Sequence, residues 1–389
     1  MMSKQWDVIV VGGGIVGLSV AIALAQRHYL VAIIDAQSLS PDLKHKTTRV
    51  YAVNQSSENL FAHLGIWPEI SESDVSPYRH MHIWDAQNGA CIDFDARMIG
   101  EARLGNIIRE DVIKHALLQR AVALGITLIP NNKVCSIQHL DSGVRLTCEE
   151  GDFEAQLLIV SDGGLSKTRD KLGVTLTTWP YHQHALVATV CVEYPHEATA
   201  YQVFNADGPL AFLPLKDPHT CSIVWSTTPK RAERLLTLDE AQFNQELTQA
   251  FAAKLGLCEL IDKRHQFPLV MRHANQYQGT RWLLMGDAAH TIHPLAGLGL
   301  NLGLEDVACW LDIIDRAKAP IWRSRYLREY QRARKYEVWK VIGMMQGLKT
   351  LFANPLPPIA MARGIGLNLC NQLPVIKRFF INQAGGNGF

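Results

Sequence analysis

The run Val8 to Val11 is apolar without alternation, the pattern of a strand covered on both faces. A glycine-rich break follows it. Apolar residues from about Ile15 to Arg27 then predict a helix, and a second strand ends at Asp35. Beyond a polar, irregular stretch, "SLSPDLKHKTTRVYAVN", a helical pattern covers Gln55 to Leu64. Two later strands, Leu157 to Val160 and Trp282 to Met285, each run into a glycine-aspartate pair, and a helix begins near Leu298. Shorter runs at His80–Trp84, Ala185–Val192, Ala200–Phe204, Leu210–Leu215 and Cys221–Ser226 are rich in aromatic and β-branched residues and predict a mixed sheet. From Val338 to Phe389 apolar residues recur at near-helical spacing on both sides of "NPLPP", where prolines end one helix before another begins.

A chain of 389 residues suits two or three intertwined units with a large buried core. The pattern divides it into a discontinuous α/β domain (1–73, 104–173 and 271–338), a sheet domain (74–103 and 174–270) and a helical C-terminal segment (339–389). A net charge of +1 gives no drive toward nucleic acid. The eight cysteines are scattered, with no CxxC pair, and predict reduced thiols in a cytosolic protein. The chain opens almost at once on a strand, without the pattern of a secretory signal. The apolar stretch Ile15 to Ala25 is too short to span a bilayer.

Gly12, Gly14 and Gly17 fit GxGxxG between a strand and a helix. A tight turn, close approach of backbone to a pyrophosphate and close helix–strand packing each need a residue without a side chain. Asp35 closes the second strand where a carboxylate accepts from a ribose 2′-hydroxyl, favouring FAD or NAD over NADP. A simple NAD enzyme would continue in regular alternation. The break after Asp35 points instead to a longer ligand.

The glycine turn, the Asp162-Gly163 pair with Ser166 and Arg169 behind it, and "GDAAHTIHPLAGLGLNLG" from Gly286 to Gly303 come in an order that resembles the class A flavoprotein monooxygenases with the para-hydroxybenzoate hydroxylase fold. The resemblance implies a Rossmann-type FAD domain, a mixed sheet roofing the flavin and a substrate between them. It implies that Gly286 and Asp287 hold the ribityl chain, that Pro294 walls the ring, and that Gly297, Gly299, Leu300 and Asn301 line the flavin where the family has GQGxN. Arg49 is implied near the flavin, with a surface ion pair as the alternative. Asp162 and Gly163 are associated with both FAD and NAD(P)H, with a turn cap as the alternative for Asp162, and capping is likewise the alternative for Asp287. Arg109 stands in "REDV", where the family commonly has Glu-Asn. His290 and His293 are three apart, but no third ligand stands at metal-site spacing, so packing near the cofactor is expected and no metal. The aromatics Trp179, Tyr181, Phe204, Phe212 and Trp225 read as core and pocket wall.

"LGNIIREDVIKHAL", "HALVATV" and "AFLPLKDPHTCSIVWS" narrow the resemblance to the ubiquinone-biosynthesis hydroxylases, within them to the 2-polyprenylphenol branch. Two motifs depart from that family: around the Asp162-Gly163 pair Val160-Ser161 replaces Gly-Ala and Leu165 replaces Asn, and in GQGxN Leu298 replaces Gln, which removes a polar side chain beside the flavin. The resemblance implies transient NAD(P)H, O2 and a flavin 4a-hydroperoxide that attacks an electron-rich phenol. No side chain identifies itself as the base. The alternatives are a hydroxylase of another ubiquinone ring intermediate, a flavoprotein reductase or dehydrogenase, and a non-catalytic FAD-binding scaffold. On this reading Asp162 and Arg169 affect reduction by NAD(P)H. The C-terminal helices either pack on the FAD domain or a sister subunit, or meet an anionic inner membrane face or a biosynthetic complex through Lys377, Arg378, Phe379 and Phe380.

Overall fold

The computed structural model describes residues 5–40, 47–292, 297–354 and 356–386. Five strands run parallel at its centre in the order Trp282–Leu284, Gly151–Val160, Gln5–Val11, Val31–Ile34 and Thr127–Ile129. The helix Ile15–Ala25 follows the first glycine turn and packs against the helices Glu110–Ala123 and Leu298–Asp315. It is apolar around nearly its whole circumference because it is buried on nearly all of it. The predicted helix to Arg27 is shorter here; its last residues form a turn through His28, which takes a left-handed φ of 66°.

The second sheet has nine strands and contains all five of the short runs. Ala185–Val192 proves to be the end of one long strand, Leu176–Val192, whose pairing with His265–Ala274 slips between Pro180 and Gln183. Pro180 has no N–H to give the ladder, so an irregularity there is the expected response. The strand Thr199–Asn205 runs parallel to His80–Asp85 while its other neighbour is antiparallel, which makes the sheet mixed.

One face of this sheet buries Leu210, Phe212, Ile223 and Trp225 with Leu235, Phe243 and Leu247 of the helices Pro229–Thr237 and Glu240–Ala250. Phe212 and Trp225 are therefore core, stacked or wedged away from any open cleft. Phe204 stacks on Phe352 with ring centroids 3.8 Å apart, Tyr181 is buried beneath Lys349, and Trp179 is exposed.

A third, three-stranded sheet orders Val50–Asn54, Gly105–Arg109 and Val75–Tyr78. Its Val50, Ala52 and Ile107 share an apolar cluster with Met81, Ala200 and Leu213 of the nine-stranded sheet and its connections. The helix Ser324–Ala353 runs unbroken across residue 338, and His265–Ala274 runs across residue 270. Two of the expected domain borders thus fall inside elements. The reason is that each element feeds two cores: Tyr330 belongs to the α/β core, while Met345 and Phe352 of the same helix pack on Phe204.

Candidate functional site

Val11, Val160 and Leu284 lie in register on neighbouring parallel strands. The loops that follow them, Gly12–Gly14, Ser161–Gly163 and Met285–Asp287, consequently leave the sheet side by side at its carboxyl edge, where open α/β sheets bind their ligands.

At Gly12, with φ +106°, an added Cβ would lie 2.5 Å from the Ser161 carbonyl oxygen, and at Gly17 it would lie 1.9 Å from the Gly12 carbonyl oxygen. Both positions admit only glycine. Around Gly14 nothing comes within 4 Å of such a Cβ, so the turn opens onto space at the start of the helix Ile15–Ala25. The first N–H groups of a helix have no acceptor of their own and attract anions. Asp35 borders the same turn, its two oxygens 2.5 Å from the Gly13 nitrogen and 2.7 Å from the Gln37 nitrogen. The amides orient a carboxylate that keeps lone pairs for a further donor.

Ser161, one of the departures from the family pattern, spends its hydroxyl on the Val11 and Gly12 carbonyls, each 3.2 Å away. Asp162 does cap the short helix Lys167–Lys171, accepting from the Thr168 hydroxyl at 2.8 Å and its N–H at 3.3 Å. Its other oxygen, Oδ1, is buried with no partner from the protein. A buried carboxylate oxygen needs a donor, and at this edge a bound ligand can supply it. Gly163 makes the turn at φ +89°, and Leu165 is exposed.

Gly286 takes φ +59° and donates its N–H to Asp306 Oδ2 at 2.8 Å. Asp287 next to it is exposed, and the protein packed around it pushes its carboxyl above the usual range, partly offset by His290, Arg49 and Arg272. Asp287 therefore stands exposed at the sheet edge, with His290, Arg49 and Arg272 near enough to act on its charge. Arg49 reaches toward it from the edge of the three-stranded sheet, 3.9 Å from Glu110 and above the Tyr51 ring. Pro294 and His293 lie outside the described residues. Gly297 caps the start of the helix Leu298–Asp315 in a left-handed conformation, 3.0 Å from the Ala52 side chain by its absent Cβ, and Gly299 two residues on faces open space. A second helix N-terminus therefore opens onto space on the same side of the sheet edge.

Three sequence expectations change here. The Asn301 side chain has no hydrogen-bonding capacity left for a flavin: Nδ2 donates to the Ala52 and Gly297 carbonyls, and Oδ1 accepts from the Asn54 N–H and the Ser57 hydroxyl. The Leu300 side chain is buried in the α/β core, so of this residue only the backbone is left to meet a flavin. Arg109 is engaged by Asp74 and Asp111 at 3.5 and 3.2 Å.

Three residues, Arg169, Asp306 and Arg334, hold the site in a role that was not identified from sequence. Arg169 is 2% exposed and donates to the Gly164 carbonyl at 3.3 Å and the Ala288 carbonyl at 3.1 Å, tying one loop to the next. Asp306 accepts from Gly286, from His290 Nε2 at 2.7 Å and from Arg334 Nε at 2.6 Å. His290 thus serves as a hydrogen-bonding strut. Burial alone would raise the Asp306 carboxyl, but His290 and Arg334 hold it below the usual range. The acids Glu305 and Asp306 inside the largely apolar "NLGLEDVACWL" were the available signal, since a charge on a buried helix face demands a partner.

The two open helix N-termini, the glycines that only backbone could approach, the unpartnered Asp162 oxygen and the exposed Asp287 fit an FAD molecule at this sheet edge. Comparison with known proteins agrees. A family model described as FAD binding domain matches residues 5–343. The 3-demethoxyubiquinol 3-hydroxylase of Escherichia coli is 32% identical over 394 residues, covering 99% of this chain and all of the relative. The mitochondrial ubiquinone biosynthesis monooxygenase COQ6 of Xenopus tropicalis is 30% identical, with 96% of this chain and 91% of the relative covered. Among solved structures, p-nitrophenol 4-monooxygenase from Pseudomonas putida superposes with a TM-score of 0.80 over 98% of this chain and 99% of that one at 18% identity, which speaks to the fold. The fold is that of para-hydroxybenzoate hydroxylase, and the chain belongs to the FAD binding domain family of flavoprotein monooxygenases, homologous to the ubiquinone-biosynthesis hydroxylases.

Proposed function

We propose that this chain hydroxylates the ring of a polyprenylated phenol on the way to ubiquinone, with NAD(P)H as a transient reductant and O2 as co-substrate. One observation carries the reading: the flavin loop is walled by apolar side chains. Gly297 packs on Ala52, and Ala52 and Val50 continue into Met81, Ala200 and Leu213, while Leu298 continues into Phe204 and Met345. Such walls accept a hydrocarbon-bearing ring and exclude water from the reacting atoms. When bound, FAD supplies the redox chemistry that transfers one oxygen atom to an electron-rich ring. The protein's share is placement. Asp35 and the turn at Gly12–Gly14 hold the dinucleotide, Asp287 accepts from the ribityl hydroxyls, and the N-terminus of Leu298–Asp315 favours negative charge developing beside it.

Whole-length identity to a 3-demethoxyubiquinol 3-hydroxylase supports ubiquinone-ring chemistry in general, and the motifs quoted above favour the 2-polyprenylphenol as substrate. Purified protein given NAD(P)H, isotopically labelled O2 and either a short-chain 2-prenylphenol or a short-chain demethoxyubiquinol decides both points by mass spectrometry. Labelled oxygen in the prenylphenol product is expected. NAD(P)H oxidation with no oxygenated product from either compound would leave the reductase reading standing.

A further inference from the structure

Tyr201 and Val203 of the strand Thr199–Asn205 turn toward the core under the helices Pro229–Thr237 and Glu240–Ala250. Successive side chains of a strand point to opposite faces, so Ala200, Gln202 and Phe204 turn the other way. That face meets the flavin loop. Ala200 shares an apolar cluster with Ala52, whose side chain lies 3.0 Å from the Cβ position of Gly297, and Phe204 shares one with Leu298. Gln202 therefore stands between the two side chains that flank the turn at Gly297 and Leu298.

Strand register extends this position into a row. Val187, Val224, Ala211, Gln202 and Ile83 are paired in turn across five neighbouring strands. All five are half-buried, while their neighbours two residues away on the same face, Ala200 and Phe204 on one strand and Ser222 and Ser226 on another, are buried. The opening on this side of the sheet thus follows the row. Four of its members are apolar and one is an amide. Gln202 makes no hydrogen bond among the described residues, and Ala211, the smallest side chain of the row, leaves room beside it. Covering a polar group without giving it a partner costs free energy. A ligand that lies along this row must therefore bring a partner for the amide.

We propose that Gln202 is the specificity-determining contact for the ring oxygen of the substrate, its amide hydrogen-bonded to the phenol oxygen while Val224, Ala211 and Ile83 take the ring and the start of its hydrocarbon chain. The assignment rests on the functional reading above. An amide carries both an acceptor and two N–H donors, so it can serve the hydroxyl, and as a donor it favours phenolate character at the oxygen. Apolar walls alone discriminate poorly between rings with and without a hydroxyl. A site built to hydrogen-bond that hydroxyl rejects the ring lacking it, because the amide is then covered and unpaired.

The test is equilibrium dialysis of the full-length, FAD-loaded protein, without NAD(P)H, against 2-prenylphenol and against prenylbenzene, which lacks only the hydroxyl. Wild type should bind the phenol more tightly. Gln202→Met should weaken phenol binding roughly tenfold and leave prenylbenzene binding equal or tighter, with melting temperature and FAD content unchanged, since no hydrogen bond within the protein is lost. Gln202→Ala should repeat the loss of discrimination without the bulk of Met. A wild type that binds the two compounds alike overturns the proposal, and so do variants that weaken both equally, which is the mark of a packing role, or that weaken neither. Dialysis needs no turnover. A wild type that discriminates through Gln202 but forms no hydroxylated product would therefore count against the functional reading alone, and hydroxylation of the phenol with discrimination unchanged in both variants would count against Gln202 alone.

Discussion

Arg334 places its Nε 2.6 Å from Asp306 Oδ1 with side-chain exposures of 6% and 0%, and the second Asp306 oxygen takes the Gly286 N–H and His290. A buried ion pair thus holds the backbone of the loop that presents Asp287. Removing one partner strands a charge in the core, so Arg334→Met should cost about 3–5 kcal/mol and lower the fraction of protein that retains FAD. A folded-state carboxyl held below its usual range contributes stability that is present above about pH 4 and lost as pH falls through the lowered value. Asp306→Asn should therefore show a shallower loss of stability between neutral and acid pH than wild type. Denaturant melts from pH 7 downward measure this, and parallel curves would mean that the pair contributes nothing to acid unfolding.

Asp287 has the opposite sign. Burial raises its carboxyl, so its ionised form costs stability once pH exceeds the raised value, and that cost disappears below the usual carboxylate range. Asp287→Asn should raise the melting temperature of the flavin-free protein at neutral pH, with no gain in acid. The same change replaces charged acceptors with a neutral one and should weaken FAD binding on the order of tenfold. A variant that binds FAD as tightly as wild type would remove Asp287 from the ribityl contact.

The glycine turn, both glycine-aspartate loops and the mixed sheet were legible because each is local: a strand-length apolar run, a break that only glycine satisfies, an acid at a fixed offset. What sequence did not show was long-range. Asp306 and Arg334 are 28 residues apart, and Arg169 meets Ala288 across 119. No periodicity links such positions. Asn301 was misread for a related reason, since a polar residue in a flavin motif looks like a ligand contact until its partners Ala52 and Asn54, some 250 positions earlier, are seen to use it up. The aromatics Phe212 and Trp225 alternate correctly for a sheet, but alternation does not say which face looks at the cofactor.

Arg169 provides a prediction that separates architecture from chemistry. Sequence placed it in reduction by NAD(P)H, while the structure makes it the tie between the Gly164 and Ala288 carbonyls. Arg169→Met should destabilise the protein by about 2–4 kcal/mol, from two lost charge-assisted hydrogen bonds and the carbonyls left behind, and should lower FAD content. Stopped-flow reduction, normalised to bound flavin, should then match wild type. Slower reduction per flavin at full stability and full FAD content would restore the catalytic role.

Asn301 allows the last distinction, between touching the flavin and positioning what touches it. An amide side chain offers two N–H donors and two acceptor lone pairs, and all are taken: Ala52 and Gly297 carbonyls on one side, Asn54 N–H and Ser57 hydroxyl on the other. These contacts fasten the first turn of Leu298–Asp315 to the strand Val50–Asn54 and to the cap of the helix Gln55–His63. Asn301→Ala strands buried partners on both sides and should cost about 2–4 kcal/mol. Asn301→Asp keeps the acceptors but turns an oxygen toward the Ala52 carbonyl, so it should not rescue the loss. Because no flavin contact is removed, FAD still bound to either variant well below its melting temperature should keep the visible absorption envelope of wild type. A normal melting temperature with a shifted flavin spectrum would reverse the assignment, and would place the Asn301 amide at the cofactor.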